Sequence, residues 1–283
     1  MLREVAVGNT ISRAAESLGY TPSAVSQRLA ALERSLGVEV LERVGRNVRL
    51  TDAGRELVRH AEGLLAGMEA AQTAIEQVGN RVAGTFELAL SESVASTLLP
   101  PLLRSLRAAH PDLRVRSRHL DPDFALAALN SGQIDLAFSI GYPHSPLPTP
   151  PGITSVPIMR DDFFLVVPES EPETTGPASL IDYKDRAFIS SSPDLLCGRC
   201  FLSACREEGF EPEVAHVLDD YGTTIRMVAA EEGLALVSDL ALVHDLTGVR
   251  IIPLRTPLSR TIELICRTTS AERPAMIAIR EMA

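Results

Sequence analysis

The chain has 283 residues, 45% of them hydrophobic, and a net charge of −10. That length suits two or three units with real cores rather than one small domain. No apolar run approaches the ~20 residues that cross a bilayer, no signal peptide precedes the first helix, and four cysteines, three of them clustered between 197 and 205, are too few for a disulfide scaffold. A cytoplasmic protein is expected.

The acidic total at first argues against nucleic acid, but the distribution matters more. Residues 1–59 hold nine Arg against seven Asp and Glu, a balance of +2, and the remainder carries −12. A mildly basic head on an acidic body fits a DNA-binding module joined to something that does not touch DNA.

In the head, Ser12 is a candidate cap for a helix whose inward positions are Ala14, Ala15 and Leu18. Gly19 ends it with a residue that accepts the left-handed conformation. Thr21 then caps a second helix, with Pro22 at its first position, where a missing N–H costs nothing. Val25, Leu29, Leu32 and Leu36 recur at helical spacing and predict its buried stripe. Ser23, Ser26, Gln27 and Arg28 fall elsewhere, mostly near its start. Two short helices meeting at a Gly turn predict a helix-turn-helix, whose second helix enters the major groove. Two apolar-alternating segments, "VEVLER" and "NVRLT", then flank Gly45, Arg46 and Asn47 and predict a hairpin wing. Arg43, Arg46 and Arg49 on that wing are candidates for phosphate contacts, while Thr21, Pro22, Ser23, Ser26, Gln27 and Arg28 are candidates for the groove. The plain alternative is a helical hairpin with a solvated face.

The segment "SRAAESLGYTPSAVSQRLAALERSLGVEVLERVGRNVRLTDAG" resembles the N-terminal signature of LysR-type transcriptional regulators. In that resemblance the helix-turn-helix corresponds to Ile11–Ala30. Many members have Gln-Pro where this chain has Pro22-Ser23. Only about ten residues precede the motif where the family has a full first helix, so a start further upstream, or a poorly stabilised head, is expected. A native mass equal to that of the 283-residue chain would count against the upstream start. The resemblance implies an α/β protein overall: a winged helix-turn-helix over 1–51, a dimerising linker helix over 52–82, and an effector domain over 84–283. It also implies double-stranded DNA as a partner, a homodimer or homotetramer, a small-molecule effector, a contact with RNA polymerase, no cofactor and no enzymatic activity. A binding protein whose shortened head no longer holds DNA is the first rival reading, and an enzyme built on the α/β clamshell, against which the absence of a paired nucleophile and base speaks, is the second.

In the linker, Leu57, Ala61, Leu64, Met68, Ala71, Ile75 and Val78 keep the alternating four-three spacing of a coiled-coil seam. Polar flanks favour pairing between chains over packing on one domain. Beyond it, "GTFELALS", then a helix and strand, then "DFALAALNSGQIDLAFSI" give a β-α-β-α-β rhythm and predict a parallel sheet. The rhythm returns after the Pro-rich break at 141–152. Two similar lobes predict a clamshell with a cleft between them, and the LysR resemblance implies an effector domain like periplasmic solute-binding proteins, one lobe combining 84–157 with 255–283 and the other spanning 158–254. Ligands in such sheets sit beyond the carboxyl ends of strands. Ser91, Ser93, Ser139, Ser190 and Thr223 lie there and are candidates for holding a carboxylate or other anion. For each alone, an ordinary helix cap is the simpler account.

"CGRC" at 197–200 has redox or metal spacing, but one such pair lacks the four ligands of zinc, and two thiols at a helix start near the cleft wall are the preferred reading. No nucleophile-base motif, Walker loop or GxGxxG occurs, and no His spacing suits a metal. The paired acids Asp161-Asp162, Glu231-Glu232 and Asp219-Asp220 read as solvated turns.

Overall fold

A computed structural model of the chain describes residues 1–2, 4–5, 10–45, 47–79, 82–142, 149–173 and 175–283, apart from the side chains of residues 16 and 17. It divides into two units, Met1–Gly79 and Asn80–Ala283.

In the first unit, α1 runs Ile11–Leu18 and α2 runs Pro22–Leu36. The first cap is Thr10, whose Oγ1 accepts from the Arg13 N–H at 3.2 Å; the expected cap, Ser12, sits exposed within the helix. Gly19 takes φ +67° between the helices. Thr21 Oγ1 accepts from the Ala24 N–H at 3.2 Å and caps α2. Val5, Ala14, Ala15, Val25 and Leu29 form the core of this unit. The predicted stripe of α2 is therefore shorter than expected. Leu32 is only half-buried and Leu36 is 45% exposed, because α2 outruns α1 by more than a turn. The expectation for a fuller first helix falls largely on residues 3 and 6–9, outside the described residues.

Strands β1 (Leu41–Val44) and β2 (Asn47–Leu50) pair antiparallel and form the wing. Gly54 then enters α3 (Asp52–Gly79) under the wing. A Cβ there would lie 2.1 Å from the Val40 carbonyl oxygen, so the close approach requires glycine. Twenty-eight residues make α3 about 42 Å long. Its seam is bare in the single chain: Leu64, Met68, Ile75 and Val78 are 71–90% exposed.

The second unit is built on β3 (Gly84–Leu90), β4 (Leu113–His119), β5 (Leu136–Gly141), β6 (Ile153–Pro168), β7 (Ala187–Ser190), β8 (Glu213–Val217), β9 (Ala235–Ser238), β10 (Val249–Pro253) and β11 (Ser259–Arg267). The helices are α4 (Glu92–Thr97), α5 (Leu99–Ala109), α6 (Pro122–Ser131), α7 (Leu196–Glu207), α8 (Tyr221–Ala229) and α9 (Pro274–Met282). The expected single helix after β3 is two, because Pro100 and Pro101 start a new one after Leu98.

Seven strands join in the order β10-β6-β11-β5-β3-β4, with β9 also on β6. The sheet is mixed rather than parallel. Among the described strands, β4-β3-β5 and the separate pair β7-β8 run parallel. The helices α4–α6 supply the crossovers within β4-β3-β5, and α7 supplies that of β7-β8, whereas β6 and β11 return without one and pair antiparallel.

The long strand β6 belongs to both lobes. As far as Asp162 it pairs with β11; from Phe163 onward it pairs with β9 and β10. The change of partner comes five residues beyond the expected break at 157. The cores of the two lobes are continuous, with Phe86, Phe138, Phe163, Phe188 and Phe201 in one cluster.

Candidate functional site

The partner change in β6 fixes what lies between the lobes. Asp161 and Arg260 face each other in the β6–β11 register. Asp161 shares its strand face with Phe163, Leu165 and Val167, so it is turned inward and is 1% exposed. Arg260 likewise shares its face with Ile262 and Leu264 and is 2% exposed. The two form a buried ion pair at 2.7 Å. Arg260 also donates from Nη2 to Ser93 Oγ at 2.7 Å and to Ser238 Oγ at 2.8 Å. Asp161 Oδ1 accepts from the Leu240 N–H at 3.1 Å. The guanidinium thus ties both lobes to the strand between them. Burial opposes its charge, but the surrounding Tyr221 and Tyr142 oxygens and the Asp161 carboxylate outweigh it and hold its pKa above the ordinary value. This overturns one expectation: Asp161 is no solvated turn residue, while Asp162 is exposed and pairs with Arg160.

Above this pair lies a cavity of about 90 Å³ that opens to solvent. Its floor is apolar, with Ile140, Phe163, Phe201, Leu236 and Leu258. Its walls carry Ser91, Ser191 and Tyr142, and each has a buried hydroxyl without a hydrogen-bond partner among the described residues. One carboxylate oxygen of Glu92, Oε2, is in the same state. Leaving buried polar atoms unpaired costs about 1–3 kcal/mol each, and their grouping around one cavity is the mark of a place where something polar binds.

Four hydrogen bonds cross between the lobes around the cavity. Asp123 Oδ2 accepts from the Leu196 N–H at 2.9 Å, and its Oδ1 pairs with Arg199 at 2.8 Å. Glu92 Oε1 meets His244 Nε2 at 2.9 Å. Thr97 Oγ1 donates to the Leu240 carbonyl at 2.5 Å.

Of the predicted effector residues, Ser91, Ser93 and Ser190 line the cavity. Ser139 does not. Strand alternation turns it to the other face of β5 from Phe138 and Ile140, opposite Glu263 of β11. Thr223 does not either. Its N–H donates to the capping Asp220 carboxylate at 2.5 Å, and its neighbour Thr224 lines the cavity instead. That cap also fills the helix N-terminus which an anion was expected to use. The expected anion meets little else to hold it. Arg260 and His119 are the basic residues among the described lining, and Arg260 is already neutralised by Asp161. Glu92, Asp121, Asp123, Asp219 and Asp220 line the same space.

Cys197 and Cys200 stand in the cavity wall. Burial pushes the Cys200 and Cys205 thiols up to about 12, so both stay protonated. Cys197 Sγ lies 3.6 Å from the Tyr221 hydroxyl. All four cysteines are free, and no group of three or more metal-ligating side chains forms among the described residues.

In the first unit, Thr21, Pro22, Ser23, Ser26, Gln27 and Arg28 are exposed along the start of α2. Arg28 stacks over the Tyr20 ring at 4.6 Å. On the wing, Arg43 is exposed, and Arg49 pairs with Glu42 across the hairpin at 2.7 Å. Arg46 lies outside the described residues.

Residues 1–55 match the family model "Bacterial regulatory helix-turn-helix protein, lysR family", and residues 79–283 match "LysR substrate binding domain". The chain belongs to the LysR family. This LysR-family protein is therefore a DNA-binding transcription regulator with an effector-binding domain, and not an enzyme. It is 27% identical to the transcriptional dual regulator GltC of Bacillus subtilis (strain 168), over 93% of this chain and 87% of that one. It is 31% identical to a probable hydrogen peroxide-inducible genes activator of Mycobacterium leprae (strain TN), over 81% of this chain and 73% of that one. Among solved structures, an H2O2-bound mutant of OxyR from Corynebacterium glutamicum matches with TM-score 0.64 at 22% identity, covering 99% of this chain and 88% of that one. Full-length CbnR in complex with its target DNA matches with TM-score 0.58 at 23% identity, covering 99% and 95%. These likenesses show the fold. No helix among the described residues is long and apolar enough to cross a membrane.

Proposed function

We propose that this regulator binds a two-fold-symmetric, interrupted inverted repeat in the cytoplasm and answers to a small molecule held between its lobes. The observation that carries the effector half is the set of unpartnered buried oxygens on Ser91, Glu92, Tyr142 and Ser191 around one cavity. Ser93 and Ser190 belong to the same wall. The DNA half rests on the exposed start of α2 and on the exposed Arg43 and Arg49 of the wing; Ser23, Ser26, Gln27 and Arg28 read base edges, and Arg43, Arg46 and Arg49 are the arginines assigned to phosphates.

The division of labour follows the sequence: a head over 1–51, a dimerising linker over 52–82 and an effector body from 84 onward. The bare seam of α3 supports pairing between two chains, which sets two heads against two half-sites. Tetramers form from such dimers. Effector binding shifts the lobes only as far as its affinity differs between their two arrangements, and the shift reaches RNA polymerase through the bound DNA. Selection of bound fragments from the host's genomic DNA tests this reading. An enriched site with dyad symmetry is expected, and its occupancy falls steeply as salt rises. No enrichment at low or moderate salt would remove the DNA half.

A further inference from the structure

We infer that the effector of this cavity is an organic cation, an amine or guanidine carried on an apolar body. The inference rests on the cavity reading above and adds the ligand's charge.

Several polar groups of the cavity are already used. Asp123 is spent on the Leu196 N–H and on Arg199. Asp220 is spent on the Thr223 N–H. Arg260 is spent on Asp161. Of what remains, the charged groups other than His119 are acceptors only, and the hydroxyls of Ser91, Ser191 and Tyr142 can accept as well as donate. The Asp121 carboxylate has no partner among the described residues, and Asp219 accepts only a 3.3 Å bond from the Ser192 N–H. Glu92 Oε2 is buried without a partner. The second, independent sign is Tyr142. It is 2% exposed, lines the cavity, and its hydroxyl has no partner there.

Asp121 precedes α6 in one lobe, and Asp219 precedes α8 in the other. Burial first, then Asp219 and Asp123, raise the Asp121 carboxyl above its usual range, with His119 acting the other way. The two lobes thus face each other across like charges. A cation between Asp121 and Asp219 replaces that repulsion with two charge-assisted hydrogen bonds. It favours the closed arrangement over the open one, which gives a ligand its differential affinity. The Ser91, Ser191 and Tyr142 hydroxyls accept its remaining N–H groups, and the Phe163, Phe201 and Leu258 floor covers its apolar body. A carboxylate would gain the hydroxyls but face Asp121, Asp219 and Glu92.

The test is titration calorimetry of the full chain with matched pairs that share a ring and differ in charge. Phenethylamine is set against hydrocinnamate, and tryptamine against indolepropionate. At least one amine binds saturably at millimolar concentration or below, and its carboxylate twin binds at least about tenfold more weakly. Asp121→Asn and Asp219→Asn each weaken the amine about ten- to a hundredfold. Thermal melts of both unliganded variants stay at or above the wild type, which separates loss of the site from loss of the fold. The inference is overturned if no amine binds, if a carboxylate binds as well as its amine, or if neither Asn variant changes amine affinity. It is also overturned if magnesium chloride alone binds and loses that binding in Asp121→Asn, since the site would then take a metal. Carboxylate binding that Leu236→Trp abolishes would sink the cation and leave the cavity reading standing.

Discussion

Asp161→Asn is the most informative single change outside the cavity. It keeps the shape of the side chain and removes one charge. Arg260 then remains 2% exposed, still bonded to Ser93 and Ser238, but with no counter-ion. Breaking one side of a buried pair costs about 3–5 kcal/mol, because the surviving charge is left uncompensated. For a body of some 200 residues, each kcal/mol lowers Tm by roughly 2–4 °C. The body's thermal transition therefore falls by roughly 6–20 °C. The double change Asp161→Leu with Arg260→Met removes both charges and recovers most of that loss. Calorimetric scans of wild type, single and double variants check both parts. A single variant within about 1 kcal/mol of wild type, or a double variant no better than the single, would refute the claim that this pair is held by its own charges.

Other changes test other parts. Gly198→Ala places a Cβ 2.2 Å from the Ser192 carbonyl oxygen and 2.6 Å from that of Ser191; the forced shift of α7 costs about 2–3 kcal/mol in urea unfolding. Asp121→Asn raises stability at pH 7. A carboxyl whose folded pKa is raised destabilises the fold above that pKa and does nothing below its unfolded value, so the gain shrinks as pH falls and vanishes below roughly pH 3.9. Leu64→Glu with Ile75→Glu puts charges on a seam that is 73% exposed at both positions in the single chain, and sedimentation shows a shift to lower mass. Arg43→Ala weakens binding to all DNA sequences alike and lowers the salt slope by about 1, whereas Gln27→Ala changes the preferred sequence.

Much of this is legible in the sequence. The head is, because caps, the Gly19 turn and the hairpin are short-range devices written in consecutive residues. The cavity was legible only in part. Ser91, Ser93 and Ser190 follow strands, and strand ends are readable. Ser139 misled because its count along β5, not its place at a strand end, decides its face. Thr223 misled because Asp220 three residues earlier takes its N–H. The buried pair was missed although a signal existed. Arg260 keeps step with Ile262 and Leu264, and Asp161 with Phe163 and Leu165, so both charges sit on inward positions of a period-two pattern. That each finds the other is a matter of sheet register between distant strands, which no local pattern reports. The acid surplus around the cavity was equally hidden, since Glu92, Asp121 and Asp219 come from three separate loops and helix starts.

The passage of β6 through both lobes has a consequence for synthesis. The second lobe lies inside the sequence of the first, and β5 must wait for β11, which begins 118 residues after β5 ends at Gly141. Until then the outer edge of "LAFSIG" stands open, with no charged residue to guard it. The ribosome thus completes the inner lobe while the outer one still offers an apolar strand edge. A chain stopped short of Ser259 should aggregate unless a chaperone covers that edge, and the same truncation with Ser139→Lys should stay in solution longer, as a pelleting assay would show.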